Sequence, residues 1–266
     1  AMEVGPHALK ALPMTEHDNE IAEFLAAAGW TGAERRVLAA DASFRRYDRI
    51  RLGSRRAVLM DAPPAKEKIE PFIAIARHLG TLGYSAPRIY EADIAKGLVL
   101  MEDLGDDTYT RLLAAGRDER ALYELATDVL IDMHRRQTAE VVPRGIAPYD
   151  IPAFQREADL LVEWYLPAVA GKPTGDELLR SYRACWRALL PLAHGAPGTL
   201  VLRDYHVDNL MLLPNRPGIA ACGLLDFQDA LAGPSSYDFI SLVEDARREI
   251  APELAAAVRK RYLAGV

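Results

Sequence analysis

The chain has 266 residues, half of them hydrophobic, and a formal net charge of -6. That length suits one large domain or two lobes with a substantial core. The acidic balance argues against a phosphate-dominated nucleic-acid surface. No run of about 18 apolar residues reads as a membrane span, and the N-terminus lacks a basic-then-apolar signal. Cys185 and Cys222 have no metal spacing; both read as small buried apolar residues in a reducing, cytoplasmic setting.

The spacing of Ile21, Phe24, Leu25 and Ala28 predicts a helix over Asp18 to Ala28, stopped by Gly29. Strand-like runs follow at Arg36 to Ala40, Phe44 to Leu52 and Arg55 to Asp61. Gly53-Ser54 between the last two is a hairpin signal. Arg45, Arg46, Arg49, Arg51, Arg55 and Arg56 cluster here, on a solvent face or around an anion. Beyond Pro63-Pro64, Lys66 to Leu82 reads as a helix with Ile69, Phe72, Ile73, Ala76 and Leu79 inward. Pro87 to Ala92 and Leu98 to Glu102 read as two more strands.

From Thr108 the pattern is nearly all helical. Candidate helices are Arg111 to Ala115, Glu119 to Arg136, Ile151 to Ala170, Asp176 to Ala193, Tyr237 to Arg248 and Pro252 to Leu263. Leu254 to Val266 ends without an obvious cap, as expected of a chain that continues further. The expected class is α+β: an antiparallel sheet with one helix over residues 1–103, then a mainly helical lobe over 104–266. Ligand sites favour clefts between such lobes.

One hairpin interrupts the helices. Thr199 to Leu202 leads in, Asn209 to Leu213 is a short strand, 214–218 turns, and Ile219 to Leu225 returns. This brings Asn209 and Asp226 to one end, five residues and one strand pair away from Asp204. Kinase-type phosphoryl transfer uses that set: an Asp orients and deprotonates a hydroxyl, and an Asn and an Asp hold magnesium on nucleotide phosphates. Taken alone, each has a plainer reading: a turn carboxylate for Asp204, a turn residue for Asn209, a strand-end cap for Asp226. Asp204, His206 and Asp208 also alternate in the manner of metal ligands on a hydrolase strand, but no second His/Asp cluster follows.

The strings 41–47 (DASFRRY), 59–64 (LMDAPP), 101–105 (MEDLG), 203–209 (RDYHVDN) and 225–230 (LDFQDA) resemble those of the aminoglycoside phosphotransferase and choline kinase branch of the protein-kinase-like fold. Within it, the chain looks most like the bacterial anomeric amino-sugar kinases. These phosphorylate N-acetylmuramate and N-acetylglucosamine at C1 in cell-wall (peptidoglycan) recycling. The resemblance implies a two-lobe, ATP- and Mg-dependent kinase of a small-molecule sugar, with no nucleic-acid or membrane partner. It implies Asp204 as catalytic base, Asn209 and Asp226 as metal ligands, and His206, Asp208 and Asp238 as residues shaping the loop or meeting substrate. Nucleotide contacts would come from Ala42, Ser43 and Arg46, and from Met101, Glu102 and Leu104, whose backbone would meet adenine. Met60 stands where the phosphate-pairing lysine is expected; Arg46, Lys66 or Lys68 is the expected substitute, with Glu70 as a partner carboxylate. Trp30, Trp164 and Trp186 read as packing residues, with Trp164 and Tyr165 as an alternative sugar lining. His134 reads as a structural helix end. Asp150, Glu157, Asp159 and Glu163 would supply an acidic pocket if the substrate were a polycationic amine.

Overall fold

The computed structural model, which describes residues 15–40, 44–195 and 198–266, begins with helix α1 (Glu16–Ala27). Thr15 and Asp18 start it by reciprocal capping: the Thr15 hydroxyl accepts from the Asp18 amide (3.1 Å) and the Asp18 carboxylate from the Thr15 amide (3.2 Å). Ile21, Phe24 and Leu25 then fall on one face, three to four residues apart, and bury against Trp30, Ile50, Leu59 and Leu100.

Those partners belong to a five-stranded sheet of β1 (Glu34–Ala40), β2 (Arg46–Leu52), β3 (Arg55–Asp61), β4 (Ile89–Asp93) and β5 (Leu98–Met101), Trp30 lying just before it. Its order is β1-β2-β3-β5-β4, antiparallel throughout. Gly53-Ser54 closes the β2–β3 hairpin with Gly53 at φ 59, a conformation that costs glycine little. Part of the arginine cluster is internal: Arg35 meets buried Asp48 at 2.7 Å, and Arg49 grips buried Asp103 at 2.9 and 3.1 Å. Arg51, Arg55 and Arg56 are exposed.

Gly97 has φ 70 and its carbonyl accepts from the Ala62 amide at 2.9 Å. A Cβ there would land on the Ala62 carbonyl oxygen. Gly97→Ala is therefore expected to cost roughly 3 kcal/mol or more, from left-handed strain plus a backbone clash. Urea unfolding that shows a loss below about 1 kcal/mol would refute this reading of the turn.

The chain divides into two compact units. One comprises the described residues up to Glu70 with Ile89–Asp103, and the other Pro71–Arg88 with Leu104–Val266. The second unit takes up nearly all of α2 (Glu70–Thr81) and adds α3 (Tyr109–Ala114), α4 (Glu119–Arg135), α5 (Thr138–Val141), α6 (Ile151–Leu160), α7 (Leu166–Ala170), α8 (Asp176–His194), α9 (Ser236–Val243) and α10 (Pro252–Gly265). Two small antiparallel ribbons complete it: β6 (Gly198–Val201) with β9 (Leu231–Pro234), and β7 (Leu210–Leu212) with β8 (Cys222–Leu224). α4 is its spine, burying Leu122, Ala126, Val129, Leu130 and Met133.

Several elements differ from the sequence expectation, each for a local reason. α2 begins at Glu70 rather than Lys66, because Pro71 is tolerated only in a first turn and the amides of Lys66 and Glu67 turn back to the Pro63 carbonyl. The run 151–170 is interrupted by a π turn, Leu161–Tyr165, just before Pro167, which lacks the N–H an α-helix would use. Ile219–Ala221 is part of a 3-10 turn, leaving only Cys222–Leu224 as strand. α9 stops at Val243, well short of Arg248. Cys222 is buried, but Cys185 is exposed on α8. Trp30 is buried in the core, whereas Trp164 and Tyr165 are largely exposed on the π turn. Among the described residues, no helix is long and apolar enough to cross a membrane.

Candidate active site

β6 ends at Val201, and the chain then turns through a residue in unusual geometry. Arg203 lies at φ 73, a left-handed conformation that costs a side-chain-bearing residue about 1 kcal/mol or more. Asp238, fully buried on α9, holds it there. Its carboxylate accepts from the amides of Leu202 at 2.7 Å and Arg203 at 2.9 Å. Burial pushes the Asp238 carboxyl up to about 7, the two amides pull it back down, and neighbouring Asp204 adds to the rise.

Asp204 follows directly. Its amide turns back to the Leu202 carbonyl (3.0 Å), and its own carbonyl accepts from the His206 amide (3.1 Å) and from Asn209 Nδ2 (3.0 Å). The backbone is thus held from both sides while the half-buried side chain projects from the turn. Its carboxyl is raised above the ordinary range, first by burial and next by the charge of Asp226.

Asn209 links the parts. Besides the Asp204 carbonyl, its Nδ2 reaches His206 Nε2 (3.2 Å) and Asp226 Oδ2 (3.4 Å), and its carbonyl accepts from the Leu225 amide (2.9 Å). With the amide nitrogen committed, Oδ1 is the atom that Asn209 offers to a cation. Asp226 sits in left-handed geometry at φ 55, with Oδ1 receiving Gln228 Nε2 at 2.6 Å. Phe227, fully buried beside it, stacks on Phe72 of α2 at 5.3 Å and fixes the turn. Together Asn209 and Asp226 supply one neutral and one anionic oxygen, a donor set that fits magnesium with phosphate and water completing the shell. Among the described residues no group of three or more His, Cys, Asp or Glu could hold a metal. The alternating Asp204, His206 and Asp208 therefore make no hydrolase-type cluster.

His206 is buried, with its Nε2 3.2 Å from Asn209 Nδ2. Asp208 points elsewhere. It accepts a hydrogen bond from the Thr110 hydroxyl on α3, while the Thr110 amide donates to the Val207 carbonyl at 3.3 Å. Asp208 thus fastens the loop to α3 and stays apart from the Asn209–Asp226 pair.

The profile of the Phosphotransferase enzyme family matches residues 34–266. The chain belongs to this family. A family relative, the N-acetylmuramate/N-acetylglucosamine kinase of Caulobacter vibrioides, is 34% identical over 94% of this chain and 77% of its own length. The kinase of the same name from Pseudomonas aeruginosa is 38% identical over 86% of this chain and 66% of its own length. Across the curated relatives the chain spans 58% to 77% of their lengths. Two solved phosphotransferases share the fold. Aminoglycoside phosphotransferase APH(2'')-Ib bound to ADP has a TM-score of 0.64 at 18% identity, over 92% of this chain and 82% of its own. Choline kinase LicA from Streptococcus pneumoniae has 0.63 at 12%, over 93% and 80%. The α+β, protein-kinase-like class follows from these likenesses and from the antiparallel sheet preceding a mainly helical part.

Within this phosphotransferase the other expected positions separate. Ala42 and Ser43 lie outside the described residues. Met101 is buried at the end of β5, with Glu102 and Leu104 half-buried after it. Met60 is fully buried in β3, opposite Tyr47 of β2. Arg46 turns its Nε to Asp48 Oδ1 at 3.1 Å. Lys66 lies over the Phe44 ring at 5.0 Å, and Lys68 and Glu70 are exposed. Arg45 is buried against Glu67 at 3.0 Å, an ion pair that sequence reading missed because Glu67 precedes the helix instead of lying in it. His134, in the last turn of α4, hydrogen-bonds Tyr262 (2.7 Å). The four acids are already engaged. Asp150 caps α6, Asp159 and Glu163 meet Arg183 at 3.0 and 2.5 Å, and Glu157 meets Arg203 at 2.6 Å.

Proposed function

We propose that the chain is an ATP- and magnesium-dependent kinase that phosphorylates the anomeric hydroxyl of N-acetylmuramate and N-acetylglucosamine, in peptidoglycan recycling. The observation that carries the chemistry is the single amide of Asn209 tying the Asp204 turn to the Asp226 carboxylate. One group orients an acceptor hydroxyl and two oxygens face a cation, all on one braced loop. The sugar is supported by relatives of that name at 34% to 38% identity. It is supported too by the engaged acids, because Arg183 and Arg203 cancel half of the charge that a polycationic amine would need and Asp150 is taken up in capping α6.

In this reading the Asp204 carboxylate accepts a hydrogen bond from the sugar hydroxyl and aligns it with the γ-phosphate. Its raised proton affinity strengthens it as a base. An anomeric hydroxyl is more acidic than an ordinary alcohol, so alignment contributes more than proton removal. Asn209 Oδ1 and Asp226 Oδ2 would hold magnesium, which when bound neutralises charge on the phosphates. Gln228 keeps the Asp226 carboxylate turned by donating to its other oxygen.

The test is phosphorus NMR of the product formed from ATP and each amino sugar. The expected result is a phosphomonoester coupled to the anomeric proton, with one ADP released per sugar consumed. Vigorous transfer to an amine-bearing alcohol with none to either amino sugar would overturn the reading.

A further inference from the structure

The residue before Asp204 carries a side chain that the scheme above leaves unused. Arg203 runs from its left-handed turn to α6, where its NH2 meets Glu157 Oε1 at 2.6 Å. Its NH1 reaches the Asp229 carbonyl at 3.4 Å, and its guanidinium lies over the Tyr149 ring at 5.9 Å. Glu157 is a hub. The Tyr149 hydroxyl donates to Oε2, and the Tyr237 hydroxyl reaches the same oxygen at 3.2 Å.

Each of these partners is itself immobilised. Tyr149 is fully buried, stacks on Phe154 at 4.0 Å, and packs against β9 where Gly233 has no side chain to obstruct it. Tyr237 is adjacent to Asp238, the residue that clamps the Leu202 and Arg203 amides. The strained Arg203 backbone is therefore gripped at the amide by Asp238 and at the far end of its side chain by Glu157. A turn at positive φ relaxes when its restraints are removed, and Asp204 moves with it. We propose that Glu157 is a positioning residue for phosphoryl transfer, acting through the Arg203 guanidinium to fix the direction of the Asp204 carboxylate.

This rests on Asp204 being the base of the reading above, and the test separates the two. The full chain is compared with Glu157→Gln, Arg203→Lys and the double variant. Glu157→Gln keeps the size and one acceptor but removes the charge that Arg203 faces. The expected result is a fall in kcat of roughly 10- to 100-fold, since misplacement near 1 Å costs about that much, with KM for ATP changed less than about twofold. The double variant should be no slower than the slower single, because both changes cut one linkage. Glu157→Asp should recover part of the loss.

Amide hydrogen exchange supplies a readout independent of substrate. Leu202 and Arg203 should lose protection in Glu157→Gln while the buried amides of α4 keep theirs. Wild-type kcat in Glu157→Gln, additive losses in the double variant, or faster exchange spread evenly over the unit would each overturn the proposal. If the wild-type protein transfers phosphate to neither amino sugar, the functional reading fails, and exchange at Leu202 and Arg203 decides the positioning alone.

Discussion

Replacing Asp204 by Asn is expected to lower kcat roughly 10³-fold while the fold and the affinity for magnesium nucleotide persist. The contacts that build the turn use the Asp204 backbone, namely its amide to Leu202 and its carbonyl to His206 and Asn209. The substitution leaves those untouched. It removes a half-buried carboxylate whose charge is opposed by burial and by Asp226. Thermal stability should therefore stay level or rise slightly, since a like-charge pair is relieved. A neutral amide still offers an oxygen to the sugar hydroxyl, so some alignment survives and binding of sugar should weaken little. Calorimetric titration with magnesium ADP, melting curves and steady-state rates measured on the same preparation check this. Turnover within about tenfold of wild type, less than general-base catalysis is worth, would remove Asp204 from the base role, whatever the sugar.

What could be read in advance depended on whether a feature is local. The β2–β3 hairpin was legible because Gly53-Ser54 sits between two runs of strand-forming residues, and β3 has the expected bounds, Arg55–Asp61. The nearness of Asn209 to Asp226 was legible for the same reason, as two short apolar runs around a turn bring their ends together. β9 was not, because Leu231-Ala-Gly-Pro shows neither alternation nor β-branched residues and owes its pairing to β6, some thirty residues earlier. The π turn reflects a proline whose effect falls on the turn before it. The Glu157–Arg203 link spans 46 residues, and Glu157 alone reads as one more acid on a helix. Strain at Arg203 left no trace in composition, since arginine is not a residue type favoured at positive φ. The triad of candidate chemistry lay in contiguous strings, whereas the groups that hold it in place came from α6 and α9.

Asp238→Asn is the second large effect expected, and its pH dependence identifies its cause. In the wild type both carboxylate oxygens accept backbone amides, Leu202 at 2.7 Å and Arg203 at 2.9 Å. Asparagine keeps the shape but turns an NH2 toward one of those N–H groups. One bond is lost and two donors face each other, at a cost of about 1 to 3 kcal/mol. Released at one amide, the Arg203 turn relaxes, and kcat should fall roughly 100-fold. Burial holds the Asp238 carboxyl up to about 7 in the folded chain against 3.8 for an unperturbed group. Between those values the folded protein keeps a proton that the unfolded chain has released. The contribution of this carboxyl to stability is thus full below the lower value, declines as pH rises through the window by up to about 1.4 kcal/mol per unit, and is flat above the upper one. Asparagine does not titrate, so the stability of the wild type minus that of the variant should fall from about pH 4 to 7, far enough for the two to change order, and then hold constant. Activity runs the other way: the clamp that accepts both amides is the ionised one, so wild-type kcat should climb toward neutral pH more steeply than that of Asp238→Asn, in which the base Asp204 still titrates but Asp238 does not. Unfolding free energies and kcat measured across that range on both proteins test the pair of trends. A difference that rises with pH, or acid limbs of the same shape in the two proteins, would mean that Asp238 is not the group whose ionisation tightens the loop.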